Sequence, residues 1–274
     1  MQIVAGSTID ALLKKPLLDP LETRILLTRT LKLSRVQLIT QSERALTAAE
    51  AQTLSALIQR RLDGEPIAYI IGEREFYGLT FDVTPDVLIP RPETELLVEL
   101  ALERLPQQGR VLDMGTGSGA IAIAIAHSRA DARVSAIDAS AAALAIARGN
   151  AARHGANVAF LQSDWYSALQ GQQFDLIVSN PPYIADNDIH LSQGDLRFEP
   201  LGALTDHADG LSALRIIIAG ATSHLGPGGW LLMEHGYDQA AAVRALLSAN
   251  AFTDVQSWQD LAGIERVSGG KVSA

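Results

Sequence analysis

Phe174-Asp175-Leu176-Ile177-Val178-Ser179-Asn180-Pro181-Pro182-Tyr183 decides how this chain is read. Phe174 to Val178 is a short apolar run of the kind that fills a fully buried strand of a parallel sheet. Two consecutive prolines must stop that strand. Neither can donate to a ladder, and Pro181 pushes Asn180 into an extended conformation. A carboxamide, free carbonyls and an aromatic ring are thereby fixed at the C-terminal end of a central strand, the edge where ligands sit in open α/β sheets. The Asn180 oxygen and the adjacent carbonyl can each accept a hydrogen bond from a planar NH2 group, and the Tyr183 ring can stack on the π-system that carries it. As turn chemistry alone, the same residues would only terminate a strand. The neighbouring segments argue for more.

Upstream, Val111-Leu112-Asp113-Met114-Gly115-Thr116-Gly117-Ser118-Gly119-Ala120 reads as a strand, a glycine turn and a helix start. Its spacing is ambiguous: Gly115, Gly117 and Ala120 fit a dinucleotide fingerprint, whereas Gly115, Gly117 and Gly119 fit a G-x-G-x-G loop. Either cofactor needs an acid at the end of the next strand for ribose hydroxyls, and Asp138 follows Val134 to Ile137 in that place. Asp164-Trp165, after the third strand, favours S-adenosylmethionine, because Asp can accept from an adenine amino group and Trp can cover its face. No acid–base residue suited to hydride transfer stands near Asn180.

The chain has 274 residues, 47% of them hydrophobic, enough for one large domain or one domain with a smaller companion. No run is long and apolar enough to span a bilayer, and no signal segment precedes Asp10. Without cysteine there is no disulfide, thiolate metal site or thiol nucleophile, which suits a cytoplasmic setting. The formal net charge of −9 opposes non-specific nucleic-acid binding. Six scattered histidines lack metal-ligand spacing. His190 and His207 fall in the non-periodic stretch Ile184 to Gly210, which reads as a lid or loop over the site.

Capping-box patterns at Ser7, Asp19, Ser34 and Thr47 predict a helical domain over residues 1–65. Residues 66–90 read as a β-hairpin linker centred on Gly78. Pro92, with acidic residues in the first turn, opens a helix running through Leu105. From Arg110, strands and helices alternate: strands at Val134 to Ile137, Val158 to Leu161, Phe174 to Val178 and Trp230 to Met233, with helices at Ala120 to Ser128, Ala141 to Arg153, Leu211 to Leu225 and Gln239 to Ala249. Late strands follow at Val255 to Trp258 and Ile264 to Val267. Such alternation implies a doubly wound sheet over residues 91–274.

In this order, the glycine loop, Asp138, Asp164-Trp165 and Asn180-Pro181-Pro182-Tyr183 resemble a class I S-adenosylmethionine-dependent methyltransferase that methylates amino groups. Ile89-Pro90-Arg91-Pro92-Glu93-Thr94-Glu95, Arg197-Phe198-Glu199-Pro200-Leu201 and Asp260-Leu261-Ala262-Gly263 narrow the resemblance to the HemK/PrmC family of protein-(glutamine-N5) methyltransferases. Ile264 departs from the more polar residue expected after that last segment. The resemblance implies a Rossmann-like sheet whose last strand runs antiparallel, and S-adenosylmethionine as cofactor. Gly115, Thr116, Gly117, Ser118, Gly119, Asp138, Asp164, Trp165 and Asn180 are its expected contacts. The substrate implied is the Gln of the Gly-Gly-Gln motif in class I peptide chain release factors, gripped by Asn180, Pro181, Pro182 and Tyr183. Of these, Asn180, Pro181 and Tyr183 are the expected catalytic set. Neither a metal, a membrane nor direct nucleic-acid contact is required, and a monomer is expected. Methylation of a ribosomal-protein glutamine, or of a flipped base in DNA or RNA, stands as the alternative.

Overall fold

The computed structural model describes residues 3–273. The chain divides into two compact units, the first ending at Gly72 and the second beginning at Glu73.

The first unit is helical: α1 (Ile9–Lys14), α2 (Pro20–Leu31), α3 (Arg35–Thr40), α4 (Ala48–Leu62) and α5 (Ile67–Ile71). Ser34 with Gln37 and Thr47 with Glu50 form reciprocal capping boxes, so two orphan N–H groups at each start find partners. The first helix is capped by Thr8 rather than Ser7, because the Thr8 hydroxyl is the one that accepts from Ala11 N. Asp19 caps α2 at Leu21 N, with Pro20 at the first helical position. The apolar faces meet in a core that includes Ile9, Leu26, Leu27, Leu38, Leu54 and Ile58. Ion pairs such as Arg61–Glu22 tie α4 to α2 at its rim.

The second unit begins with the hairpin β1 (Glu73–Phe76) and β2 (Leu79–Asp82), turning through Tyr77 and Gly78, both at positive φ. A 3-10 turn (Pro92–Thr94) precedes α6 (Glu95–Arg104), so Pro92 opens a tight turn and Glu95 starts the helix proper. Then come β3 (Arg110–Met114), α7 (Ala120–Ser128), β4 (Arg133–Asp138), α8 (Ala141–His154), β5 (Val158–Gln162) and β6 (Phe174–Ser179). The stretch after β6 holds two 3-10 turns and the short α9 (Leu201–Leu204), and Ile184 bridges Thr205. The chain closes with α10 (Ser212–His224), β7 (Leu225–Glu234), α11 (Ala240–Ala249), β8 (Thr253–Gln259) and β9 (Glu265–Lys271).

The seven strands are ordered β5-β4-β3-β6-β7-β9-β8, parallel up to β7, with β9 antiparallel to both β7 and β8. Strand order reverses between β3 and β6, which pair directly. Ligands bind at such a switch point. The two faces of the sheet carry separate cores. Leu97, Ile123, Ala136 and Val178 lie in one, and Ile177, Leu214, Ile217 and Val243 in the other. Helix α10 ends at His224, and Gly226-Pro227-Gly228-Gly229 runs within β7 as an irregularity, where pairing with β6 jumps from Phe174–Leu225 to Leu176–Trp230.

Helix α8 offers a paired test of this packing. A methyl at Gly119, the residue before α7 at φ +84°, would stand 2.8 Å from Ile123 Cδ1 and 3.1 Å from Ala147 Cβ of α8. At Gly149, exposed within α8, a methyl would meet nothing within 4 Å. In urea unfolding, Gly119→Ala should destabilise by about 1–3 kcal/mol. Gly149→Ala should stabilise by about 0.5–1 kcal/mol.

Candidate active site

The glycine loop hangs from the end of β3. Gly115, Gly117 and Gly119 all have positive φ, which turns the backbone sharply from strand to helix. Thr116 and Gly115 both donate backbone N–H bonds to Ile137 O. Asp113, fully buried, accepts from the Thr116 hydroxyl at 2.6 Å and from Ala122 N at 3.2 Å. Burial pushes its carboxyl up to about 7 against those two hydrogen bonds, with the nearby Asp138 charge adding to the rise. Asn150, fully buried on α8, donates to the Ser118 carbonyl at 2.8 Å and brackets Asp82 from both sides. One side chain thus ties the loop to the hairpin.

Asp138 ends β4. Its carboxylate accepts from Gly117 N and from Ser140 N, each at 2.9 Å. Those bonds fix its orientation and leave lone pairs for diol hydroxyls. After β5, Trp165 adopts φ +46°, which costs a bulky L residue roughly 1 kcal/mol. The turn is held by Ser163, whose hydroxyl donates to Trp165 O at 2.6 Å and accepts from Ala168 N. The left-handed conformation places Trp165 in the wall of the site's cavity.

Asn180 stands just beyond β6. The Ser179 hydroxyl donates to Met114 O, stitching the ends of β6 and β3 together. The Asn180 amide nitrogen donates to Thr94 Oγ1 at 3.2 Å, which commits the orientation of the carboxamide and leaves Oδ1 free to accept. Tyr183 is half-buried against the second core. Its hydroxyl donates to Glu234 at 3.3 Å, and its carbonyl accepts from the Gln239 amide. Glu234, at the end of β7, is buried, which pushes its carboxyl up to about 7. The Thr94 and Tyr183 hydroxyls and the Arg266 charge oppose that rise, and Glu93 adds to it.

These pieces surround one cavity of about 360 Å³. Gly115, Thr116, Gly117, Ser118, Asp138, Asp164, Trp165, Asn180 and Pro182 all line it. Of the other expected residues, Gly119 caps α7 beneath it, Pro181 is buried, and Tyr183 packs beside it. Neither His190 nor His207 is among the lining residues; both are exposed beside aspartates, Asp188 and Asp186. Sequence reasoning missed the opposite wall, where Asp86, Val87, Arg91 and Thr94 face Pro200, Gly202 and Ala203. Glu199 joins the two sides: its buried carboxylate accepts from Ile89 N at 3.0 Å and pairs with Arg91. The quoted segments Ile89–Glu95 and Arg197–Leu201 were the signal for that wall, although nothing in them reveals their pairing. Among the described residues, no cluster of His, Asp and Glu is placed to hold a metal.

The cavity suits a nucleoside carrying a charged side chain. It pairs a hydroxyl-accepting carboxylate at Asp138 with an aromatic face at Trp165, and its glycine turn lets a ligand approach the backbone. The buried carboxyls make folding pH-dependent. Asp113 and Glu234 rise from ordinary values of 3.8 and 4.5 to about 7 in the folded chain. Between those values the folded chain holds more protons than the unfolded one, so stability falls as pH rises through the window and levels off above it. Melting temperatures of Asp113→Asn measured from pH 5 to 8 should decline less steeply than those of the unmodified chain. Parallel curves would contradict the assignment.

Comparison with known proteins bears on the fold and the family. A family model described as "Methyltransferase small domain" matches residues 92–195, and one described as "PrmC N-terminal domain" matches residues 11–72. The chain is 58% identical to a release factor glutamine methyltransferase of Burkholderia pseudomallei (strain K96243), over 97% of this chain and 96% of that protein. It is 53% identical to one of Neisseria gonorrhoeae (strain ATCC 700825 / FA 1090), over 96% and 97%. The crystal structure of a methyltransferase from Pyrococcus furiosus shares the fold with a TM-score of 0.57 at 20% identity, covering 80% of this chain and 100% of that one. With more than half its residues identical to those relatives over nearly its whole length, the chain belongs to the release factor glutamine methyltransferase family.

Proposed function

We propose that this protein methylates the side-chain amide nitrogen of the Gln in the Gly-Gly-Gln motif of class I peptide chain release factors, in the cytoplasm, with S-adenosylmethionine as donor. The observation that carries this reading is the committed carboxamide of Asn180: its nitrogen is occupied by Thr94, so its oxygen faces a cavity shaped for the donor. The bound donor supplies an electrophilic methyl group on a sulfonium sulfur. Asp138 would hold its ribose hydroxyls, Asp164 and Trp165 its adenine, and the turn Gly115–Gly119 would let it lie against the backbone.

An amide nitrogen is a poor nucleophile, because its lone pair is delocalised into the carbonyl. Asn180 Oδ1 accepts one N–H of the target amide and the Pro181 carbonyl accepts the other. Held by both, the nitrogen can pyramidalise with its lone pair aimed into the cavity. Pro181 and Pro182 fix those acceptors at little entropic cost. Orientation of this kind can account for about 7–11 kcal/mol of a barrier. The acceptors also hold the departing proton's hydrogen bond until solvent takes it, so no dedicated base is required.

Charge separates this reading from base methylation. Residues 73–274, which contain the whole cavity, carry 13 Lys and Arg against 24 Asp and Glu. A phosphate backbone would be repelled by that balance. Purified release factor, ribosomal proteins, rRNA and DNA should each be incubated with labelled donor, and the release-factor peptide read by mass spectrometry. Label is expected on the Gly-Gly-Gln glutamine. Asn180→Ala should lose at least about a hundredfold in kcat/KM with its fold intact by circular dichroism. Label confined to a ribosomal protein or to nucleic acid would overturn the substrate.

A further inference from the structure

Glu234, at the end of β7, is a buried acid beside the site. It is 2% exposed, and its Oε2 has no hydrogen-bond partner among the described residues. A buried carboxyl left partly unsatisfied is destabilising relative to a well-packed apolar residue. Every neighbouring position along β7, from Leu231 to Met233, is apolar and fully buried. Fold stability alone therefore gives no reason for an acid there.

Register explains what the acid reaches. Met233 pairs with Ser179 across β7 and β6, so Glu234 emerges one residue further, alongside Asn180. Its Oε1 accepts from the Tyr183 hydroxyl at 3.3 Å. The Thr94 hydroxyl also faces its carboxylate, while Thr94 Oγ1 accepts from Asn180 at 3.2 Å. One carboxylate thus stands behind both ends of the Asn180–Tyr183 segment, reaching Tyr183 directly and Asn180 through a threonine. An acceptor at Glu234 draws the Thr94 hydrogen toward itself, which keeps the Thr94 lone pair turned to Asn180. A donor in its place would turn that hydroxyl round and remove the reason for Asn180 to present its oxygen.

We propose that Glu234 is a positioning residue for methyl transfer, which, through Thr94, sets the acceptor face of Asn180 and, through Tyr183, anchors the segment that follows it. This rests on the reading of Asn180 as the amide acceptor, so the test carries Asn180→Ala as its reference. Steady-state methylation of release factor should be measured for Glu234→Gln, Thr94→Val, Thr94→Ser and the double variant Glu234→Gln/Thr94→Val. Donor affinity by calorimetry and fold by circular dichroism should accompany it.

Glu234→Gln and Thr94→Val should each lower kcat by about ten- to a hundredfold while donor affinity and the KM for release factor change little. The double variant should be no worse than the weaker single, because both break one relay. Thr94→Ser, which keeps the hydroxyl, should work nearly as well as the unmodified chain. Wild-type kcat in Glu234→Gln, multiplying losses in the double variant, or a uniform loss of donor affinity would each overturn the relay. If Glu234→Gln failed to fold, Thr94→Val against Thr94→Ser would decide alone, and equal activity of that pair would overturn it. Full activity of Asn180→Ala would instead reject the amide clamp on which the relay depends.

Discussion

A carboxamide that donates its N–H to a fixed acceptor must turn its oxygen the other way. In this chain the acceptor is Thr94, and the oxygen belongs to Asn180 at the mouth of the central crevice. Much of the architecture serves to hold that arrangement. The β3–β6 pairing puts Asn180 at the switch point of the sheet, and the Ser179 hydroxyl locks the strand end to Met114. The two prolines end the ladder without leaving an N–H to compete for the acceptors. Turning that amide by half a rotation would put an N–H donor where Oδ1 now stands, so an incoming NH2 group would meet a donor instead of an acceptor.

The donor side of the cavity is held by the same economy of means. Asp113 and Asn150 lie outside the cavity lining that includes Ser163, Asp138 and Trp165, yet each of Asp113, Asn150 and Ser163 restrains a stretch of backbone that lines it. Asp113 grips Thr116 and the start of α7, Asn150 grips Ser118, and Ser163 holds Trp165 in a left-handed conformation. Those hydrogen bonds are made within the chain itself, so ligand binding need not form them at the cost of affinity.

The sheet was legible in the sequence because its strands are continuous apolar runs separated by amphipathic or alanine-rich helices bounded by Gly, Ser and Pro. Helix α7 falls on Ala120–Ser128 as its pattern predicts, and Asn180 lies at a strand end for the reason its prolines give. The antiparallel β9 came only from resemblance, since no local pattern sets strand direction. Gly226 to Gly229 carry a helix-stop pattern and no strand pattern; cross-strand pairing with β6 drew them into β7, and no local signal records a distant partner. The same limit hid Thr94 and Glu234. Thr94 sat inside a quoted segment and Glu234 lay one residue past the predicted strand Trp230 to Met233, but their contact with the Asn180 segment arises from the tertiary register. Pairings such as Arg91 with Glu199, 108 positions apart in the chain, are likewise made by the fold.

The orientation of Asn180 relative to its target can be observed directly. A crystal structure with S-adenosylhomocysteine and a peptide bearing the Gly-Gly-Gln motif would place the glutamine amide in the crevice. The account predicts that amide nitrogen within about 2.7–3.2 Å of Asn180 Oδ1, with Asn180 Nδ2 still bonded to Thr94. A glutamine held elsewhere, or an Asn180 oxygen turned toward Thr94, would contradict it.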